Sequence, residues 1–432
     1  RTAMQETHFA DRVHERRVGP CHLLTLETPA EDIVSWRGSI RTSPDLAGGD
    51  DLMQELAVSL LDKGTRHRDR FEIARIIEDR GAQLNISSDG RYIDFSGRAL
   101  RDDVSDVLEV LAEMLQAPLF DPDEFEKARA QVAGEIQRMM ENTSAQAAGA
   151  LARQLYPPAH PNYSTAPADL LVELEQLAVD AIETYHAQHI GADAFTFAFV
   201  GDVDEAAIES AILAHFGDWA PLDLDDQHAT QASGAEPGRV TVPMPDKQNI
   251  DVRMGHPLAV RRDDDAYLPL YVGNYILGGN FSARLMARVR DEMGLTYGIN
   301  ASLSGMSTDY NGHWQIGVTL SQDKLDEGIA ATRAEIEKFV TEGATADELD
   351  AKKTTITGSY TVGLATTGRL ARSLLTNAER GFDVDYLDRF PQLINDLTLD
   401  EVNSAVRAHF RPQAFHEALA GMIETPTVTL ER

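Results

Sequence analysis

LAVDAIETYHAQHIGADAFTFAFVGDVD, residues 177–204, reads as a helix, a turn and a buried strand that ends in glycine. A second copy of the same reading, LTLDEVNSAVRAHFRPQAFHEALAGMIE, occupies residues 397–424. The pairs Leu177/Leu397, Asp180/Asp400, His189/His409, Ala194/Ala414, Phe195/Phe415, Ala198/Ala418 and Gly201/Gly421 are identical at a constant offset of 220 residues, close to half of the 432-residue chain. Self-similarity at that spacing points to a duplicated domain, and duplication constrains the architecture before any motif does.

Working outward, each half opens with strand-like alternation: CHLLTLE and DIVSWRGSI in the first, VTVPMP and NIDVRMGHPL in the second. Helical periods follow at 69–80, 102–116 and 123–140, and again at 323–343 and 346–359. Strands return at 92–100 and 312–320. This order is neither a regular βαβ alternation nor a barrel series. It predicts an α+β fold of two homologous α/β sandwich domains, each a mixed or antiparallel sheet with helices on one face, arranged as a clam shell. Residues 221–239 (PLDLDDQHATQASGAEPGR) lack apolar periodicity and have linker composition, so the expected domains are 1–220 and 240–432.

Composition narrows the class. Hydrophobic residues make up 43% and charged residues 25%, which is globular rather than disordered or fibrous. The formal charge of −31 repels polyanions, so neither a nucleic-acid nor an anionic-membrane partner is expected. The single cysteine, Cys21, allows no intrachain disulfide and no cysteine-based metal site, so any metal would need His and carboxylates. No run approaches the length of a membrane span, and residues 1–17 are polar and charged, which predicts no membrane insertion. The compartment stays open, cytoplasmic or periplasmic. The nucleophile-elbow, P-loop and dinucleotide signatures are all missing.

The segment DLMQELAVSLLDKGT (51–65), followed by IEDRGAQLNISSDGRYIDFSGRAL (77–100), resembles the pitrilysin/insulinase-type zinc metallopeptidases, the family of mitochondrial processing peptidase and the respiratory core proteins. In active members the helix before a Lys-Gly-Thr-like turn carries H-x-x-E-H. The two His share a helix face to bind zinc, the Glu is general base for the metal-bound water, and a distant Glu completes the metal shell. Aligning Lys63-Gly64-Thr65 with that turn places Glu55, Val58 and Ser59 where His, Glu and His would stand. The distant ligand falls on Glu135, and a helper acid is replaced by Ala128. One carboxylate of three ligands, with valine at the base position, neither holds zinc nor deprotonates its water. The resemblance therefore implies no catalytic residue, no metal and no cofactor on this chain, with zinc on a partner subunit.

The second half keeps more of the family pattern. LGGNFSARLMARVRDEMGLTYGINA (277–301) resembles the second-domain signature, a Gly-rich turn, a helix and an Arg/Tyr pair, here Arg290 and Tyr297. In active members that pair binds the peptide backbone and the oxyanion, a task suited to guanidinium and phenol donors. The plainer reading pairs Arg290 with Asp291 or Glu292 and lets Tyr297 begin a strand. Gly278 and Gly279 either admit a peptide or form the turn that starts the helix. His186 and His189 read as fold positions near a helix C-terminus, His67 as a solvent-exposed residue, and YPPAHPNYS with His160, Asn162 and Tyr163 as a family loop with a small departure.

The expected function is a non-catalytic subunit of a heteromeric zinc metallopeptidase. It would lend Arg290 and Tyr297 to a composite site in a homologous zinc-bearing partner that acts on a peptide substrate. The alternative is a structural or assembly subunit, core-protein-like, without substrate contact. A third reading is a hydrolase using His186, His189 and Glu183. The acidic charge fits a basic peptide, general solubility or salt adaptation alike.

Overall fold

The computed structural model describes residues 8–423; the first seven residues of the polar opening stretch and Glu424, the last position of the second repeat copy, lie outside them. The first half runs β1 (Val13–Val18), β2 (Cys21–Glu27), β3 (Ile33–Arg41), α1 (Asp50–Leu60), α2 (Arg70–Asp79), β4 (Gln83–Ser88), β5 (Tyr92–Leu100), α3 (Val104–Gln116), α4 (Pro122–Met140), α5 (Thr143–Leu155), α6 (Pro167–Gln176), α7 (Val179–His189), β6 (Thr196–Gly201) and α8 (Glu205–Phe216). The second runs β7 (Arg239–Pro243), β8 (Asn249–Pro257), α9 (Tyr267–Gly278), β9 (Gly298–Ser304), β10 (His313–Ser321), α10 (Leu325–Glu342), α11 (Ala346–Gly363), α12 (Thr367–Glu379), α13 (Tyr386–Asp396), α14 (Leu399–His409) and β11 (His416–Gly421). Among the described residues no helix is long and apolar enough to cross a membrane.

The repeat is visible in the sheets. The first has strand order β1-β2-β6-β3-β5-β4 and the second β7-β11-β8-β10-β9. Each is mixed: β2 runs parallel to β6, β7 runs parallel to β11, and the other pairings are antiparallel. β3 and β8 hold equivalent places and share one burial pattern along nine residues.

The chain forms two compact units that do not follow the halves. The first contains residues up to Ala133, Val172–His228 and Gly358–Gln392; the second contains Gly134–Leu171, Ala229–Thr357 and the chain from Leu393 onward. The first unit thus takes α12 from the second half, and the second unit takes α5 from the first. This exchange modifies the expected layering. In the first unit α8 lies on one side of the sheet, where Phe216 packs 5.2 Å from Phe195 and 5.9 Å from Phe197. The expected helical layer is present there, but the other face is covered as well. Leu370, Leu374 and Leu375 of α12 pack on Leu24, Leu26, Ala198 and Val200. In the second unit Ala150, Leu151 and Leu155 of α5 pack on Ala418.

The alternation of β3 sorts its side chains between the two faces. Ser35 and Ser39 point to α12, where their hydroxyls meet Thr367 Oγ1 at 2.8 Å and Glu379 Oε1 at 2.6 Å. Trp36 and Gly38 point to the aromatic side, with Trp36 6.1 Å from Phe199. Gly38 leaves the space in which Phe95 and Phe197 meet edge to face at 5.0 Å. A Cβ added there would lie 2.1 Å from the Phe95 ring and 2.6 Å from Phe197. Gly38→Ala is therefore expected to overpack this core and cost about 1–3 kcal/mol. Urea titration checks this, and an unchanged midpoint would contradict it.

The segment 221–239 has no regular structure until its last residue, Arg239, which opens β7. It is nonetheless tied down. Asp193 accepts the Leu222 and Leu224 amides at 2.7 and 3.1 Å in the first unit, and Ser233 donates to the Leu155 carbonyl at 2.9 Å in the second.

Candidate functional site

α1 starts after Gly49, which adopts φ +88°, and carries Asp50 and Asp51 in its first turn. Its apolar face, Leu52, Leu56 and Leu60, is buried. That periodicity leaves Glu55 exposed and Val58 and Ser59 half-buried. Ser59 Oγ donates to the Leu56 carbonyl of its own helix at 2.8 Å, and Val58 has no donor atom. The following turn is built as its sequence suggests. Gly64 takes φ +141°, and Thr65 Oγ1 accepts the His67 and Arg68 amides at 3.2 and 3.0 Å. Arg68 and Thr65 both reach Glu113 of α3, and His67 is solvent-exposed.

Glu135 lies in the part of α4 that belongs to the second unit, 44% exposed and 3.9 Å from Arg138 one turn on. Ala128 is buried. The donors left on α1, a solvent-facing carboxylate and a hydroxyl bonded to its own helix, do not fit a zinc ion. Among the described residues no group of three His, Cys, Asp or Glu side chains stands close enough to hold a metal.

His186, His189 and His160 each pack against an aromatic ring. His186 Nε2 lies 2.8 Å from the Leu115 carbonyl and its ring is edge-on to Phe120, and burial lowers its pKa. His189 stacks on Tyr185 at 4.6 Å and lies 3.7 Å from Asp50. The two rings therefore face different partners, and Glu183 is exposed. His160 is buried between Tyr156 and Tyr310 and accepts the Asn162 amide on Nδ1 at 3.0 Å, which ties the 156–164 loop into the second unit.

The 277–301 signature is held from three sides. Gly278 and Gly279 end α9 rather than begin a helix. A Cβ at Gly278 would lie 2.6 Å from the Ala301 amide, so this glycine serves close packing of α9 on β9. Asn274 of α9 donates to the Ala301 carbonyl at 3.0 Å and accepts from the Trp314 indole at 3.1 Å, which fixes β9 to the core. Sequence reasoning missed Lys352. Its buried ammonium donates to Asn280 Oδ1 (2.9 Å), Ser282 O (3.1 Å) and Ser282 Oγ (2.6 Å), and anchors the loop after α9. Burial lowers its pKa. A lysine within a helix reads as solvated, so only its fold partners reveal this role.

Residues Met286–Glu292 then form a stretch of π-helix, a geometry enriched at functional positions. Arg290 sits on it, its side chain 41% exposed and 3.6 Å from Asp291, the partner expected under the plainer reading. Tyr297, at the head of β9, is 92% exposed, and no described residue hydrogen-bonds its hydroxyl. Beside it opens a cleft of about 790 Å³ that belongs wholly to the second unit. Both side chains of the pair thus reach solvent, Tyr297 almost fully and Arg290 in part.

Comparison with known proteins agrees with this architecture. The model described as Insulinase (Peptidase family M16) matches residues 37–166, and the one described as Peptidase M16 inactive domain matches residues 176–356. Between them they take in most of the chain, which belongs to the insulinase-type M16 peptidase family as a member without the zinc-binding motif. An uncharacterized zinc protease of Streptomyces coelicolor is 24% identical over 380 residues, covering 86% of this chain and 80% of that protein. The Non-peptidase homolog YmxG of Helicobacter pylori is 20% identical over 361 residues, covering 83% and 81%. A solved peptidase M16 inactive domain from Pseudomonas fluorescens superimposes with TM-score 0.84 at 22% identity, covering 96% of this chain and 99% of that one. A protease from Helicobacter pylori superimposes with TM-score 0.82 at 14% identity, covering 95% and 99%.

Proposed function

We propose that this chain is a non-catalytic subunit of a heteromeric zinc metallopeptidase, lending Arg290 and Tyr297 to a peptide site whose zinc sits on a homologous partner. The observation that carries this reading is the contrast between the two signatures. On α1 both imidazoles and the base are replaced by Glu55, Ser59 and Val58, whereas Arg290 and Tyr297 are kept and face solvent. A guanidinium and a phenol with open donors stabilise a peptide carbonyl or its oxyanion, but they supply no nucleophile. The name of the Helicobacter pylori relative, a non-peptidase homolog, supports a role without chemistry on this chain.

The test is reconstitution with an H-x-x-E-H-bearing homologue from the same organism, followed by a peptide-hydrolysis assay with and without a chelator. Arg290→Ala and Tyr297→Phe are expected to lower kcat by about 10²–10³ with assembly intact, the usual effect of losing one oxyanion donor. Chelator-sensitive activity unchanged in both variants would assign the chain to scaffolding instead.

A further inference from the structure

The repeat that sets the fold also pairs two arginines. β8 and β3 occupy the same position in their sheets, so Arg253 stands where the first unit has Arg37. In the second unit Arg253 lies in the 790 Å³ cleft beside Tyr297. Its Nη2 donates to Ser144 Oγ at 2.5 Å, which uses one of five N–H donors. Among the described residues no carboxylate forms an ion pair with it. The neighbouring acid, Asp251, is occupied on both oxygens, by Thr143 Oγ1 at 2.6 Å and Thr319 Oγ1 at 2.7 Å. In a chain with 70 acidic side chains, a half-buried guanidinium without an ion-pair partner calls for a reason, because desolvating an uncompensated charge is costly. Burial indeed lowers the pKa of this guanidinium, against the pull of Asp251.

Two features show that the position is shaped. Gly317 on β10 lies beneath the guanidinium, and a Cβ there would be 1.8 Å from Arg253 Nη1. The equivalent residue opposite Arg37 is Ser96, so the bare backbone belongs to this unit alone. The cleft also carries Phe281 and Tyr297, exposed to 83% and 92%. Two large aromatic rings left in solvent beside one cleft are the kind of surface that contacts a ligand.

We propose that this cleft binds the carboxylate end of a peptide, with the carboxylate on the open N–H donors of Arg253 and the last side chain, aromatic or branched aliphatic, against Phe281 and Tyr297. Guanidinium and carboxylate match as parallel charge-assisted donors and acceptors, and the rings add apolar area without asking for sequence specificity further along the peptide. The claim goes beyond the composite-site reading and needs no partner subunit.

The experiment uses the full chain alone and a dye-labelled tetrapeptide, Gly-Gly-Ala-Phe, in three forms: free C-terminal carboxylate, C-terminal amide, and an amide with Glu in place of Ala. By fluorescence anisotropy the free acid is expected to bind at least about tenfold more tightly than the amide, the worth of a charged hydrogen-bonded pair. The Glu peptide separates the sources: affinity like the plain amide restricts the site to a chain terminus, and affinity like the free acid extends it to acidic side chains. Arg253→Gln should erase the difference between acid and amide with an unchanged or raised melting temperature, because it removes an unpaired charge. Gly317→Ala, which displaces the guanidinium without removing it, should weaken the acid as well. Equal binding of acid and amide, no binding of either, or an Arg253→Gln variant that melts lower and keeps the acid preference would each overturn the proposal. Because the assay contains no partner and no zinc, its failure leaves the reconstitution test standing, and the reverse holds too.

Discussion

A fragment that stops at His228 is expected to be insoluble when made alone and to be recovered in soluble form when co-expressed with residues 229–432. The reason is that each compact unit takes a helix from the other half of the sequence. Without the second half, β2 and β6 lose Leu370, Leu374 and Leu375 of α12 together with Leu387, and leave Leu24, Leu26, Ala198 and Val200 open to water. Burying a leucine contributes roughly 1.5–3 kcal/mol, so four amount to about 6–12 kcal/mol. That is comparable to the whole stability of a domain, about 5–15 kcal/mol. The same fragment carries α5, whose Leu151 and Leu155 then lack the sheet on which they pack. The point variant Leu374→Ala gives a graded version, with an expected loss of about 2–5 kcal/mol. Size-exclusion chromatography and thermal melting of the separate and co-expressed halves decide the matter. A monomeric 1–228 fragment with a cooperative melt would show that α12 is dispensable to the first sheet.

The repeat at an offset of 220 residues made the two-sheet architecture legible, because a strand and helix cannot be duplicated without duplicating what they pack on. The alternation in DIVSWRGSI and NIDVRMGHPL likewise announced the two central strands. What stayed hidden was which helix covers which sheet. The leucines of α12 at 370, 374 and 375 fit a helix face in either unit, and periodicity carries no address. At the candidate site, Arg290 and Tyr297, like the replaced motif positions Glu55, Val58 and Ser59, were singled out by the family resemblance alone, and the structure adds only where they lie. Arg253 was passed over although its signal was present: it repeats Arg37 within two strands of matched alternation. Lys352 had no such signal, since its partners Asn280 and Ser282 come from a distant loop.

Stability should be lost at both ends of the pH range through different groups, and the contact of α12 with the first sheet should weaken as the solution becomes more alkaline. Glu379 sits where α12 meets β3. Burial, reinforced by Asp94 and Asp89, pushes its pKa from 4.5 up to about 7, against the opposing effects of the Ser39 hydrogen bond and Arg380. Asp94 on β5 is raised from 3.8 to about 6, chiefly by burial and Asp89, with Arg372 and Arg37 pulling it down. A carboxyl whose folded pKa exceeds its unfolded value stabilises fully below the unfolded value and loses that contribution as pH rises through the folded one. The loss in the first unit should therefore run from about pH 4 to 7, with an upper bound of about 3.5 kcal/mol for Glu379 at about 1.4 kcal/mol per pKa unit. For buried histidines of the second unit the sign is the reverse. His256 is held neutral, with Nδ1 donating to the Pro257 carbonyl and Nε2 accepting the Arg411 amide, and burial lowers its pKa from 6.5 to about 4. His313, 2.8 Å from the Tyr156 hydroxyl, is lowered to about 4 in the same way. Their contribution is complete above pH 6.5 and is lost as pH falls through 4. Glu379→Gln keeps the shape of the side chain and removes only the alkaline loss. Its melting temperature should match that of the wild type near pH 5 and exceed it by several degrees at pH 8, while both proteins share the acid limb set by the histidines. Parallel curves for the two proteins from pH 5 to 8 would show that Glu379 titrates as an ordinary surface carboxylate and that α12 is held to its sheet by the leucines alone.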